Sequence, residues 1–156
     1  MGPMLRICYT SEARSPDDQH QFAEIVGVAA VLNKRDDVTG LLLWDGLHFL
    51  QALEGPDDAV MECYARITRD PRHFQIRAIF NTQIDHREFG EWSMTQRTLR
   101  PENTGEFEEE VQSLVSEVSD LDLRAFFVGF AALSDGRCRQ ADNRKNELLP
   151  VRRTRG

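Results

Sequence analysis

Cysteine is scarce in this chain of 156 residues: Cys8, Cys63 and Cys138 are an odd number with no Cys-x-x-Cys pair. Such a set builds no disulfide framework and favours free thiols in a reducing compartment. The four histidines, His20, His48, His73 and His86, stand at no metal-ligand spacing, and no cysteine joins them in a ligand pattern. No apolar run approaches the roughly 18 residues that span a bilayer, and the N-terminus has no signal-peptide core, so a cytoplasmic protein without a membrane segment is expected. Positive charge is in short supply as well. The formal net charge of −7 argues against general nucleic-acid binding by the body of the protein. Also missing are a glycine-rich phosphate loop, a nucleophile paired with a base, internal repeats and any linker long enough to define a second domain.

What is present reads as alternating strands and helices. Leu5 to Thr10 alternates as a strand. Ser15-Pro16-Asp17-Asp18 predicts a helix start, with Ser15 as N-cap, proline at the first helical position and acids in the first turn. Phe22, Ile25, Val26, Ala29 and Leu32 carry that helix to Asn33 or Lys34. Val38–Trp44 is apolar on both faces and calls for cover on both sides. Asp45-Gly46 is a two-residue hairpin signal into the strand 47–55. Gly55 is expected at the turn that follows, and Gly40 at a close approach of backbones. A second helix presents Val60, Cys63, Tyr64 and Ile67 inward until Asp70-Pro71 stops it. Phe74–Ile84 reads as a fourth strand, and Trp92-Ser93-Met94 opens a short fifth. The order predicts an α+β fold: a ferredoxin-like β-α-β-β-α-β sandwich with a short fifth strand. Two C-terminal capping helices, one through Phe107–Val118 and one through Leu121–Phe130, cover the face that the first two helices leave bare.

One strand residue breaks the apolar pattern in an informative way. Phe49, Gln51 and Leu53 share one face of the third strand, because every second side chain points to the same side. An amide buried there without a partner costs roughly 1–3 kcal/mol, so a polar group is expected to meet it. Tyr9, on the same face as Leu5 and Ile7, is the candidate. Two polar groups on the apolar face of one sheet point to a polar ligand in the core.

The motifs Tyr9-Thr10-Ser11, Asn33, Val38–Leu43, Phe49–Gly55, Asp70-Pro71-Arg72-His73 and Trp92-Ser93-Met94 together resemble the signature of the BLUF domain, a family of blue-light sensors that bind FAD. The resemblance covers residues 4–98, as a flavin-binding domain. It implies a helical cap over 99–135, as in the short stand-alone members that carry no fused enzyme, and leaves a basic, flexible tail over 136–156. By the same resemblance, FAD sits between the two helices with Ile25 and Ile67 on its ring faces. Asn33 meets the C4 carbonyl and N3 edge, Arg66 the C2 carbonyl, and Arg72 and His73 lie towards the ribityl and phosphate end. Tyr9 gives an electron and a proton to the excited flavin, and their return leaves Gln51 rotated or tautomerised, with a small red shift of absorption. Trp92 and Met94 pass the change outward.

Several of these residues admit plainer readings. Ile25 and Ile67 equally serve as core isoleucines, Asn33 as a helix C-cap, and Arg66, Arg72 and His73 as solvated side chains. A small hydrolase or an interaction module on the same fold remains open at this level. The tail from Arg137 onward carries seven Lys/Arg against two acids, a local +5 that leaves −12 for residues 1–136. With no effector in sequence view, output is expected through an unidentified downstream signalling protein or a homo-oligomer formed by the helices after residue 104, without membrane or nucleic acid.

Overall fold

A computed structural model describes residues 2–90 and 95–147. Five strands, β1 (Met4–Ala13), β2 (Thr39–Trp44), β3 (His48–Pro56), β4 (His73–Ile84) and β5 (Thr95–Thr98), form one sheet in the order β4-β1-β3-β2-β5. All neighbours are antiparallel except β2 and β5. Helices α1 (Gln19–Arg35) and α2 (Asp57–Arg69) pack on one face, and α3 (Glu106–Leu114) and α4 (Leu121–Glu147) on the other. This is the ferredoxin-like α+β sandwich that the sequence predicts. Trp92 and Met94, read as the start of the fifth segment, lie outside the described residues.

Strand alternation sorts the two cores. Leu5, Ile7 and Tyr9 of β1 and Leu53 of β3 pack with Val60 and Cys63 of α2, while Leu42, Trp44 and Phe49 pack with Phe22 of α1. Their alternate neighbours Cys8, Leu41, Leu43, Leu50 and Ala52 turn to the opposite face and meet Phe107, Val111, Leu123 and Phe127. The double-sided apolar character of β2 is thus accounted for by cover on both sides. Tyr9 and Gln51 fall directly opposite each other in the β1–β3 register. Beside Tyr9 the β1–β4 pairing slips by one residue, so that β4 carries an extra residue next to the pair.

Three local expectations are corrected. Helix α1 starts at Gln19 with Asp18 as N-cap, its carboxylate accepting from the Gln21 N–H at 2.9 Å; Ser15 and Pro16 stay outside. The cause is Asp17, whose φ of +61° is not helical and whose N–H donates to the Gly46 carbonyl at 2.8 Å. The β2–β3 connection has three residues rather than two, because the Asp45 carboxylate accepts from both the Leu47 and His48 N–H groups and holds Leu47 in the turn. Gly55 lies inside β3, not in a turn. A Cβ there would sit 2.6 Å from the Asp37 carbonyl oxygen, so its role is close backbone approach, as at Gly40, where a Cβ would fall 1.9 Å from the Ala52 oxygen.

Helix α4 also runs much further than Phe130, reaching Glu147 and taking in the beginning of the basic segment. Glycines in a helix interior cost about 1 kcal/mol each, and Gly129 and Gly136 both occur here. Contacts at the same level offset this: Ser134 Oγ and Arg137 donate to Asp45 at 2.8 and 2.7 Å, joining α4 to the β2–β3 turn. Burial pushes the Asp45 carboxyl up, yet the hydrogen bonds from His48, Ser134 and Leu47 outweigh it and hold the group below the usual carboxylate range.

Beneath α4, β1 and β3 carry a buried ion pair that sequence periodicity did not reveal. Arg6 donates to Glu54 through Nε at 2.9 Å and Nη2 at 2.8 Å, and the carboxylate also accepts from the Phe89 and Glu88 N–H groups at 2.6 and 3.1 Å. Arg6 further reaches Asp120, which caps the start of α4 by accepting from the Leu123 N–H. Removing one member of a buried pair strands the other charge and typically costs 3–5 kcal/mol. Glu54→Ala is therefore expected to lower unfolding stability by about 3 kcal/mol or more in urea titrations, with Glu54→Gln less damaging because its oxygen still accepts from Phe89.

Candidate functional site

The inner face of α1 is not sealed into the core. Phe22 is buried at its start, stacked on Trp44 with centroids 4.4 Å apart, and Asn33 is buried at its end. Between them Ile25, Ala29 and Leu32 are only half-buried. They line a cavity of about 230 Å³ between α1, α2 and the sheet. An apolar helix stripe facing a cavity rather than side chains is what a ligand site requires.

All eight residues assigned to cofactor binding from the sequence line this one cavity: Tyr9, Ile25, Asn33, Gln51, Arg66, Ile67, Arg72 and His73. Ile25 and Ile67, on the two helices, supply facing apolar walls. Tyr9 and Gln51 meet within it, the phenol O–H donating to the Gln51 Oε1, with both side chains buried. Burial, reinforced by the nearby Cys63, Cys8, Tyr64 and Asp70, raises the Tyr9 pKa well above 10.0 and keeps the phenol protonated. A protonated donor aimed at an amide oxygen can pass its proton to it, and the amide still has an N–H donor end.

The remaining residues are held in distinct ways. Asn33 is not the C-cap of α1, which is Asp36; its backbone carbonyl accepts from Val38, and its side chain stays in the cavity wall. Arg66 makes long contacts, 3.5 Å to Asp36 and 3.9 Å to Glu62, and lies beside the Cys63 thiol. Arg72 is tied to Asp70 through Nε and Nη2, and this hydrogen bonding raises the arginine and lowers the aspartate pKa. His73 has both ring nitrogens engaged. Since the Ile67 carbonyl can only accept, His73 Nε2 donates to it at 2.6 Å, and Nδ1 pairs with the Ser11 hydroxyl at 2.8 Å. The ring packs edge-on to Tyr9 and Phe49.

Sequence reasoning missed Cys63, Phe49, Leu42 and Asp70 as cavity residues. Cys63 was legible in principle, since it precedes Ile67 by four residues and so lies on the same helix face. Asp70 was visible only as a helix stop; its carboxylate also accepts from the Arg72 N–H at 3.0 Å, the local turn that aspartate favours.

A flat, polar-edged aromatic cofactor fits these residues: apolar side chains line opposite helices, buried amides and a phenol sit among them, and Arg66, Asp70, Arg72 and His73 complete the lining. The comparisons agree. The family model described as "BLUF: Sensors of blue-light using FAD" matches residues 4–95. The blue light- and temperature-regulated antirepressor BluF of Escherichia coli (strain K12) is 37% identical over 97 residues, 62% of this chain and 24% of that protein. Photoactivated adenylate cyclase subunit alpha of Euglena gracilis is 36% identical over 89 residues, 57% of this chain and 9% of that protein. The chain thus spans about a quarter or less of these curated relatives. Among solved structures, the dark state of BlrB, a BLUF protein, is 30% identical, with a TM-score of 0.66 over 85% of this chain and 98% of that one. Klebsiella pneumoniae BlrP1 is 26% identical, with a TM-score of 0.70 over 83% of this chain and 33% of that one. On its cavity, its Tyr9–Gln51 pair and a family match across most of the sheet, this chain belongs to the BLUF family of blue-light sensors using FAD.

Proposed function

We propose that this chain senses blue light through a rearrangement of the Tyr9–Gln51 hydrogen bond beside FAD, with Ile25 and Ile67 holding the flavin faces and Asn33 its carbonyl and N3 edge. Arg66 serves the second carbonyl, and Arg72 and His73 the ribityl–phosphate end. The observation that carries this reading is the buried phenol-to-amide hydrogen bond inside an apolar cavity. Bound FAD supplies the blue-light absorption and, once excited, an electron acceptor.

The chain's own residues do the rest. Tyr9 holds a proton that burial keeps in place, and it already points that proton at Gln51. When the phenol gives up an electron its proton becomes acidic, and the Gln51 oxygen is the acceptor at hand. Gln51 has unlike ends, so its amide has two stable settings that differ in which end faces Tyr9. Its cross-strand neighbours Leu42 and Tyr9 fix the backbone position, so the change stays in the side chain. Trp92 and Met94 are assigned to carrying it out of the cavity. Output then runs through the region of α3 and α4 to a partner protein or a change of self-association. What such proteins do differs among relatives: one is a blue light- and temperature-regulated antirepressor, another a photoactivated adenylate cyclase subunit.

Gln51→Leu and Tyr9→Phe are each expected to retain flavin and to lose the light-induced red shift, read by absorption before and after blue light. A normal shift in either variant would contradict the assigned roles. The pH response follows from the raised Tyr9 pKa. Burial favours the protonated phenol, so its contribution to stability is fully present below pH 10.0 and is lost as pH rises through the higher folded-state value. The light-induced shift is therefore expected to stay constant from neutral pH to about pH 10, checked by difference spectra across a pH series.

A further inference from the structure

One polar contact in the cavity wall has no role in the photochemistry. The Cys63 thiol, 3% exposed on α2, donates to the side-chain oxygen of Asn33, 2% exposed on α1, at 3.3 Å. The bond bridges the two helices that wall the cavity, and both residues line it. A carboxamide offers an acceptor at one end and donors at the other, and nothing in its shape fixes which way it lies. A thiol biases it: the S–H donates to the amide oxygen here, whereas the reverse setting would leave only an amide N–H against sulfur, a weak acceptor. Burial raises the Cys63 pKa, with the neighbouring Arg66 opposing, so the proton needed for this bond is retained.

We propose that Cys63 is a positioning residue for the flavin anchor: its thiol biases the Asn33 amide to lie with the oxygen towards α2 and so leaves the amide nitrogen as the donor offered to the cavity. This rests on the reading of the cavity as the flavin site. The oxygen keeps a second lone pair, so Asn33 presents an acceptor and a donor side by side. That is the complement of an imide edge, which carries N–H next to C=O, and setting it in advance lowers the ordering cost of binding.

The test separates donation from packing by two substitutions that go opposite ways. Cys63→Val fills the space and donates nothing; Cys63→Ser is smaller but donates. FAD dissociation constants are measured by flavin fluorescence on the full chain, with the infrared carbonyl bands of the bound flavin as a second readout. Valine is expected to weaken binding by about three- to tenfold and to move a carbonyl band. Serine is expected to stay within about twofold of the unaltered chain and to leave the bands in place. Any result in which serine does no better than valine overturns the proposal, including no effect of either. Failure of the unaltered chain to take up FAD would overturn the flavin-site reading and this proposal with it. Normal uptake and light response in the unaltered chain, with serine no better than valine, would remove this proposal alone.

Discussion

The cross-strand pairing of Tyr9 with Gln51 is the constraint from which the rest follows. Antiparallel registry sets the two residues opposite each other on adjacent strands, where Cβ atoms lie about 4.5–5.5 Å apart and side chains interact directly. Both lie on the face covered by α1 and α2, away from water, so each needs the other as a hydrogen-bond partner. A one-residue slip of either strand in the β1–β3 register would turn that strand's member of the pair to the opposite face and separate the two. The photochemical pair and the strand register are one feature.

The same two strands carry a second polar pair on their other side. Arg6 and Glu54 each stand three residues from Tyr9 and Gln51, an odd number, and so project to the opposite face. There they hold the backbone of Glu88 and Phe89 and reach the cap of α4. Asp45, at the far end of β2, grips α4 again through Ser134 and Arg137. The sheet is therefore tied by ionic and hydrogen-bonded contacts to the cap helices at two places, while its other face holds the cavity. Among the described residues, no helix is long and apolar enough to cross a membrane.

Much of this was legible because periodicity reports burial. Alternation in β1 and β3 put Tyr9 and Gln51 on one face, and the i, i+3, i+4 stripes of α1 and α2 marked their inward faces, while the placing of a cofactor between them came from the resemblance to BLUF domains. What escaped was decided by contacts distant in sequence. Only the fold brings Arg6, 48 residues away, to the Glu54 carboxylate. The start of α1 was misplaced because Asp17 bonds to Gly46 in a turn that local propensity does not contain. Likewise α4 outruns its apolar segment because Asp45, 89 residues from Ser134, receives it.

The account's central claim is that light alters the hydrogen bond between the Tyr9 phenol and Gln51. The chain has only two tyrosines, Tyr9 and Tyr64, so tyrosine labelled with ¹³C in a Tyr64→Phe background reports on Tyr9 alone. A light-minus-dark infrared difference spectrum of this protein with FAD bound should show isotope-sensitive phenol bands displaced in the lit state and restored in darkness. Flavin bands that change while every labelled tyrosine band stays still would contradict the claim.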